Sequence, residues 1–269
     1  KGVDNFKEDY LLNTKIPFPT TRNHPDPEQV KALVALIVQN IIHKEEQIKL
    51  KNKKIDELIE IELEENHITD RFDYNYPRIS EIKKNDYRID TGVYEKEFKV
   101  VDELITNYVF GSSNLTERKF KVSRGQNLQV SNIGESYYSD QKINNNFYTL
   151  ILSSKISEDS TLLGQKYLGS PRKLKTINGD DIIFCSRGAQ FGRVTFFPEI
   201  QNNFITNIDN MHISSNLASI EEKIFICQFL RYLRKIKHLY KIAIIGNGSI
   251  SFTKYQLLDF RFPILQSTR

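Results

Sequence analysis

From Glu28 to about Asn66 the chain carries neither glycine nor proline, and apolar residues fall at Val30, Val34, Ile37, Ile41, Ile48, Ile55 and Leu58. These positions lie on a ladder of alternating four- and three-residue steps, with Lys44, Lys51 and Glu62 on the remaining rungs. A mean spacing of about 3.5 residues predicts a helix with a seam that packs against another long helix. At ~1.5 Å per residue, a helix over 28–66 is a rod of roughly 58 Å. Its first half is apolar on more than one face, through Ala32, Leu33, Leu36 and Val38, whereas its second half is strongly charged between seam positions. The pattern reads as an arm that pairs with a second helix; the alternative is a helix lying along its own domain.

The segment before it has a different character. Residues 1–27 hold Pro17, Pro19, Pro25 and Pro27, four of the eight prolines in the chain, and proline with its preceding residue favours extended backbone. Asp26 followed by Pro27 predicts an N-cap and first helical position. After the helix, residues 67–269 read as a mixed α/β body with a twisted β-sheet. Residues 96–109 place Phe98, Val101, Leu104, Ile105 and Tyr108 at helical spacing. Short β-like runs follow at Phe147 to Leu152, Asp181 to Ser186, Arg193 to Phe197 and Phe204 to Ser214. Ser219 with Glu222 forms a capping-box pattern. It opens a predicted helix to about Tyr240 with Ile220, Ile224, Cys227, Leu230 and Leu233 inward. Ile242 to Ile245 is a further strand candidate, and Gly246-Asn247-Gly248 a turn. Strands and helices do not alternate strictly, which argues against a doubly wound sheet. The fold class is therefore α+β, with a long coiled-coil-forming helix joined to a mixed domain.

One internal correspondence bears on organisation. Leu11 to Phe18 (LLNTKIPF) aligns with Leu257 to Ile264 (LLDFRFPI). The first copy precedes the long helix and the second stands near the chain's end, as in a repeating unit of domain, proline strand and helix. A first residue of Lys rather than Met fits a piece of a longer polypeptide.

Composition narrows the chemistry. The chain has 269 residues, a formal net charge of +4 and a pI near 8.8. This mildly basic balance permits a nucleic-acid partner without demanding one. Cys185 and Cys227 lie far apart in apolar runs and read as packed, reduced thiols. The five histidines are scattered, and no Cys/His cluster has zinc spacing, so no metal site is expected. No apolar stretch approaches the ~20 residues of a membrane span, and there is no signal-peptide pattern; a cytoplasmic protein is expected.

Motifs for catalysis are absent. The sequence lacks the Asn/Asp-Pro-Pro-aromatic tetrapeptide of amino-methyltransferases, a phosphate-binding loop ending in Lys-Ser/Thr, and a Gly-x-Ser-x-Gly elbow. No catalytic residue is assigned. Asp180-Asp181 is a paired carboxylate beside Gly179, readable as a polar turn entering a strand or as part of a metal site. Basic and amide side chains gather instead in glycine-containing loops. Arg124, Gln126 and Asn127 flank Gly125; Arg172 and Lys173 follow the Gly169-Ser170-Pro171 turn; Arg187, Gln190 and Arg193 interleave with Gly188 and Gly192; Asn247 sits in the late turn. Arg, Gln and Asn can bond base edges bidentately, and Lys and Arg attract phosphates. These nine residues are the candidate DNA contacts; any one cluster taken singly also fits a solvated surface.

Taken together, these features resemble the specificity subunits of type I restriction-modification systems. The segments concerned are Lys15-Ile16-Pro17-Phe18-Pro19, then Pro27-Glu28-Gln29-Val30, then the charged helix to Leu63. Gly179 to Phe184 followed by Arg187 to Gly192 looks like the family's Gly-Asp strand and Arg/Gly turn. Gly246 to Ser249, Thr253 to Leu258 and Phe262-Pro263 look like its closing turn, capped helix and proline strand. Tyr87-Arg88-Ile89-Asp90 with Tyr94 is similar to a recurrent lead-in to a recognition domain. The resemblance implies the tail of a preceding recognition domain at 1–27, a spacer helix at 28–66 and a target-recognition domain at 67–269. It implies double-stranded DNA, an adenine methyltransferase subunit and a restriction translocase subunit as partners, with a homodimer through the long helix also open. S-adenosylmethionine, ATP and magnesium are expected only on those partner subunits. Alternatives are the recognition region of a fused restriction-methylation enzyme, a metal-dependent nuclease built on Asp180-Asp181, and a coiled-coil adaptor for protein partners.

Overall fold

The computed structural model describes residues 26–67, 77–84, 87, 91–144, 146–178, 180–196, 203–246 and 249–265. The proline-rich segment before Asp26, Arg88 to Asp90 and Asn247 therefore lie outside the described residues. The chain divides into two compact units, Lys1–Lys51 and Asn52–Arg269.

One helix, α1 (Pro27–Glu65, 39 residues), crosses that division. It starts where the sequence predicts, because the Asp26 carboxylate accepts the Gln29 N–H at 3.1 Å and Pro27 needs no partner for its missing donor. In the first unit Leu33, Val34, Leu36, Ile37, Val38, Ile41 and Ile42 are all about half exposed or more. In the second unit the helix buries Asn52, Asp56 and Leu63. Those positions alternate with the seam and are mostly polar, so their burial needs partners. Asp56 receives Arg231 Nη2 at 2.5 Å and Lys235 Nζ at 2.7 Å, while Asn52 donates to Asp159.

The second unit is built around two four-stranded sheets. Helix α2 (Ile79–Lys84) and α3 (Lys96–Thr106) precede β1 (Ser112–Asn114) and β2 (Lys121–Arg124). A short α4 (Val130–Ile133) leads to β3 (Tyr137–Ser139), β4 (Tyr148–Ile151) and β5 (Lys166–Gly169). Then come β6 (Ile182–Cys185), β7 (Val194–Phe196), β8 (Phe204–Thr206) and β9 (Asn210–Ser214). Helices α5 (Ile220–Lys235) and α6 (His238–Ile242), the β10–β11 hairpin (Ile244–Gly246, Ser249–Ser251), α7 (Lys254–Asp259) and β12 (Arg261–Pro263) complete the chain. One sheet has the order β2-β9-β6-β7 and the other β3-β5-β4-β8. Among the described residues there are thus two four-stranded sheets, besides the β1–β12 and β10–β11 ribbons, where the sequence reading expected one twisted sheet.

The apolar run at β6 explains how they stack. Ile182 and Phe184 face the large core, whereas Ile183 and Cys185 face a second cluster with Ile151, Ile156, Ile177 and Phe204. A strand covered on both faces reads as a continuous apolar run rather than an alternating one. The second cluster lies between the sheets, since Ile151 and Phe204 come from β4 and β8. Beyond it, Leu150, Leu168 and Ile205 turn to a third cluster closed by Ile133 of α4. The large core lies against the helices and takes in Leu63 of α1, Leu104 and Ile105 of α3, much of α5, and Phe262 of β12.

Several sequence expectations shift in detail. The run from Phe204 to Ser214 is two strands in different sheets, because Asn207 to Asp209 turn between them. The predicted helix to Tyr240 breaks at Lys237, which takes φ 61° and starts α6 anew. Ser219 accepts the Glu222 N–H, but the Glu222 carboxylate is drawn to Arg118 at 3.2 Å, so the box is half made. Ile220 and Ile224 are exposed instead of inward; Ile226, Phe229 and Leu230 fill the core face. The reciprocal capping box appears at α7, between Thr253 and Gln256. Both cysteines are free and buried, and burial pushes both thiols up to about 12. His238 is buried against Phe98, with ring centroids 4.5 Å apart, and burial pulls its pKa down to about 3. It is therefore neutral at pH 7.

Candidate nucleic-acid interface

Arg124 ends β2 at the point where the two sheets meet. The next residue must be glycine: a Cβ at Gly125 would stand 2.2 Å from Asn207 O and 2.5 Å from Thr206 O. That close approach sets the turn between β8 and β9 directly beside Arg124. The guanidinium donates to Ile208 O at 3.4 Å and lies 3.5 Å from Ser186 Oγ. Arg187, from the turn after β6, has Nε 3.5 Å from the Asp209 carboxylate. That nitrogen is buried without a hydrogen bond among the described residues. Burial, and then repulsion from Arg187, lowers the Arg124 pKa, with Asp209 opposing them.

Two lysines extend this cluster. Lys175 Nζ donates to Arg124 O at 2.9 Å, and its backbone N–H donates to Gln126 Oε1 at 3.0 Å. Burial lowers its pKa, and the charge of Lys254, the first residue of α7, lowers it further. Arg124 and Arg187 thus repel each other, Lys175 and Lys254 do the same, and the bond from Lys175 Nζ to Arg124 O joins the two pairs. Asp209 is the acid paired with Arg187. Like charges held together are costly to a fold and become favourable when an anion arrives. The Arg187 turn is fixed from the C-terminal side: Phe252 N–H donates to Ser186 O at 2.8 Å, and Arg187 bridges to Ser251.

The other candidate contacts are placed differently. Gln126 uses its oxygen on Lys175 and its amide nitrogen on Asn127 O. Asn127 bonds Gln129 through both side-chain atoms. Arg172 Nη1 donates to Ser131 O at 2.8 Å and Asn132 O at 3.2 Å, closing the end of α4. Arg193 belongs to another neighbourhood, donating to Ile156 O at 2.8 Å and facing Glu158 beside Arg234. Lys173 is exposed, and Gln190 is half-buried in the turn that carries Arg187. Of the sequence candidates, then, the structure brings Arg124, Gln126 and Arg187 together. It adds Lys175 and Lys254. Lys254 was legible only as the first residue after a helix-capping threonine.

The paired carboxylates do not converge. Asp180 receives Lys223 Nζ at 2.5 Å, while Asp181 is buried, accepts the Asn178 N–H at 3.2 Å and faces His212. Ser123, His212 and Asp181 stand in the hydroxyl–imidazole–carboxylate order of a hydrolase triad, with Ser123 Oγ 2.6 Å from His212 Nε2. His212 Nδ1 is 3.4 Å from Asp181 and makes no hydrogen bond among the described residues, so the contact that would orient a catalytic base is not formed there. Ser123 and His212 are directly opposite on β2 and β9, where the pair ties two strands. Among the described residues no helix is long and apolar enough to cross a membrane.

The seam positions remain accessible. Val34, Ile37, Ile41 and Leu58 are exposed, while Val30, Ile48 and Ile55 are half-buried. Within the second unit Ile55 and Leu58 open onto an apolar groove of about 690 Å³, walled across by Ile224 and Phe225 of α5 and floored by Phe229. This groove is why Ile224 stays out of the core.

No family model matches the sequence, and no curated relative does. Several solved structures align with it, among them two at low identity. One comes from work on complex assembly and conformational transition of the type I R-M system, at 11% identity and a TM-score of 0.40. The alignment covers 89% of this chain and 49% of that one. The other is the HsdS subunit from Thermoanaerobacter tengcongensis, at 12% identity and a TM-score of 0.40, with 88% and 46% covered. The chain spans about half the length of each.

Proposed function

We propose that this chain reads DNA as a specificity subunit, or half of one, in a restriction-modification system. It positions an adenine methyltransferase subunit and a restriction translocase on the duplex. The observation that supports the reading most is the meeting of Arg124, Lys175, Arg187 and Lys254 at the junction of the two sheets. Phosphate oxygens satisfy such a cluster, and the Arg187 side chain is still partly exposed beside Asp209. The chemistry of methyl transfer, on an adenine turned out of the stack, belongs to the partner.

The test is binding to random-sequence duplex DNA across a salt series, followed by selection from a random pool. The affinity is expected to fall with log salt at a slope of roughly −3 to −4, as for three or four neutralised phosphates. One enriched sequence should emerge. A flat salt response, or a pool that never enriches, refutes the reading.

Helix α1 supplies the spacer by pairing with an equivalent helix. Its ladder has the same step pattern from either end, so two antiparallel copies set Val34 against Leu58 and Ile37 against Ile55. The groove beside Ile55 and Leu58 then receives the apolar first half of the partner. Ile37→Glu, at an exposed site, is expected to convert the paired species to monomer in analytical ultracentrifugation while leaving the circular dichroism spectrum unchanged. A mass unaffected by this change removes the pairing.

A further inference from the structure

The cationic cluster supplies attraction, but most amide and guanidinium groups around it are bonded to the protein's own backbone. A base-reading group must be free. The segment between β3 and β4 carries such groups. Both strands pair antiparallel with β5, one on each side, so they run parallel to each other and their connection has to cross over β5. Its end is pinned, because Phe147 sits on Gly169 so closely that a Cβ there would lie 2.8 Å from the ring.

A hydrogen bond at the start of β4 links the end of the segment towards the cluster. Tyr148, the first residue of β4, accepts the Leu174 N–H on its hydroxyl at 3.1 Å, and the next residue is Lys175, bonded to Arg124 and Gln126. The crossing segment holds Gln141, Lys142 and Asn146, all exposed. The Gln141 and Asn146 side chains have no hydrogen-bond partner among the described residues; only their backbone N–H groups are used, on Ser139 Oγ and Asn144 Oδ1. The contrast with Gln126, Asn127, Arg172 and Arg193 is direct. Glutamine and asparagine amides match the N6 donor and N7 acceptor of adenine in the major groove.

We propose that Gln141 and Asn146, on the segment crossing β5, each read one adenine of the target, with Lys142 on an adjoining phosphate. This rests on the DNA-reading function above. The experiment measures fluorescence anisotropy of the full chain and of Gln141→Ala/Asn146→Ala. The ligands are the pool-selected duplex, the same duplex with 7-deazaadenine in place of adenine, and a random duplex. The double variant is expected to lose 10- to 100-fold on the selected duplex and nothing on the random one. Removing adenine N7 should weaken the unaltered chain similarly and leave the variant unmoved. Gln141→Ala alone repeats the test should the double variant fold poorly. If the variant keeps full affinity for the selected duplex while neutralising Arg124 and Arg187 abolishes it, the segment is not the reader and DNA binding stands. If the unaltered chain shows no salt-dependent binding, both the inference and the reading fall.

Discussion

Replacing Arg124 and Arg187 together by alanine is expected to weaken binding to duplex DNA about 100-fold at about 0.1 M salt and to lower the salt slope by about two. Each guanidinium is partly desolvated, so each loses less hydration on meeting a phosphate than a fully exposed lysine does. The two also repel one another in the free protein, and an anion between them turns that repulsion into attraction for both. The variant should not lose stability in proportion, because the mutual repulsion goes with the two charges, and the Asp209 carbonyl still accepts the Ser186 hydroxyl. Arg193→Ala is the matched control: its partners are Ile156 O and Glu158, so the salt slope should stay as it was. Titrations of labelled duplex with the three proteins at four salt concentrations decide the matter. Equal slopes for all three would place the DNA elsewhere on the molecule.

Asp56→Ala is expected to cost about 3–5 kcal/mol of stability, read as a lower urea midpoint with little change in m-value. The carboxylate is buried, its partner Arg231 is 6% exposed on its side chain, and Lys235 adds a second contact. Deleting Asp56 leaves the Arg231 guanidinium inside the protein with, among the described residues, Gln228 Oε1 and Asn52 O to receive it. The cost is that of a stranded charge, not of a lost bond. Replacing both residues, Asp56→Leu with Arg231→Met, should recover most of the loss, since a well-packed apolar pair can match a buried ion pair. A double variant no more stable than Asp56→Ala would show that packing around the helix, and not the stranded cation, sets the cost.

The legible parts of this fold were those governed by local rules. Asp26-Pro27, the gap-free run of α1 and the apolar block at 182–185 each follow from cap chemistry, propensity or periodicity, and each forms where it was read. What failed depended on distant partners. Glu222 abandoned its cap for Arg118, an alliance across more than a hundred residues that no window of sequence contains. Ile224 follows the same helical period as Cys227, yet it lines the groove with Ile55 and Leu58 while Cys227 enters the core. The division of Phe204 to Ser214 between two sheets hung on one turn, held by Asn207 and Asp209. At the candidate site, glycine next to arginine picked out Arg124, Arg187 and Arg193 alike, and the structure brings the first two together. Sequence alone had no means of separating them from Arg193, because both Arg187 and Arg193 flank the same turn and leave it towards different neighbours.

The short ribbon of β1 and β12 has a wider consequence. Ser112, Ser113 and Asn114 pair antiparallel with Pro263, Phe262 and Arg261, so the chain comes into the two-sheet body and goes out of it on adjacent strands. A module with its two ends side by side can be swapped for another by joins at just two points. Under the proposed function, such a swap carries a whole DNA-sequence preference with it, with no need to rebuild one contact at a time.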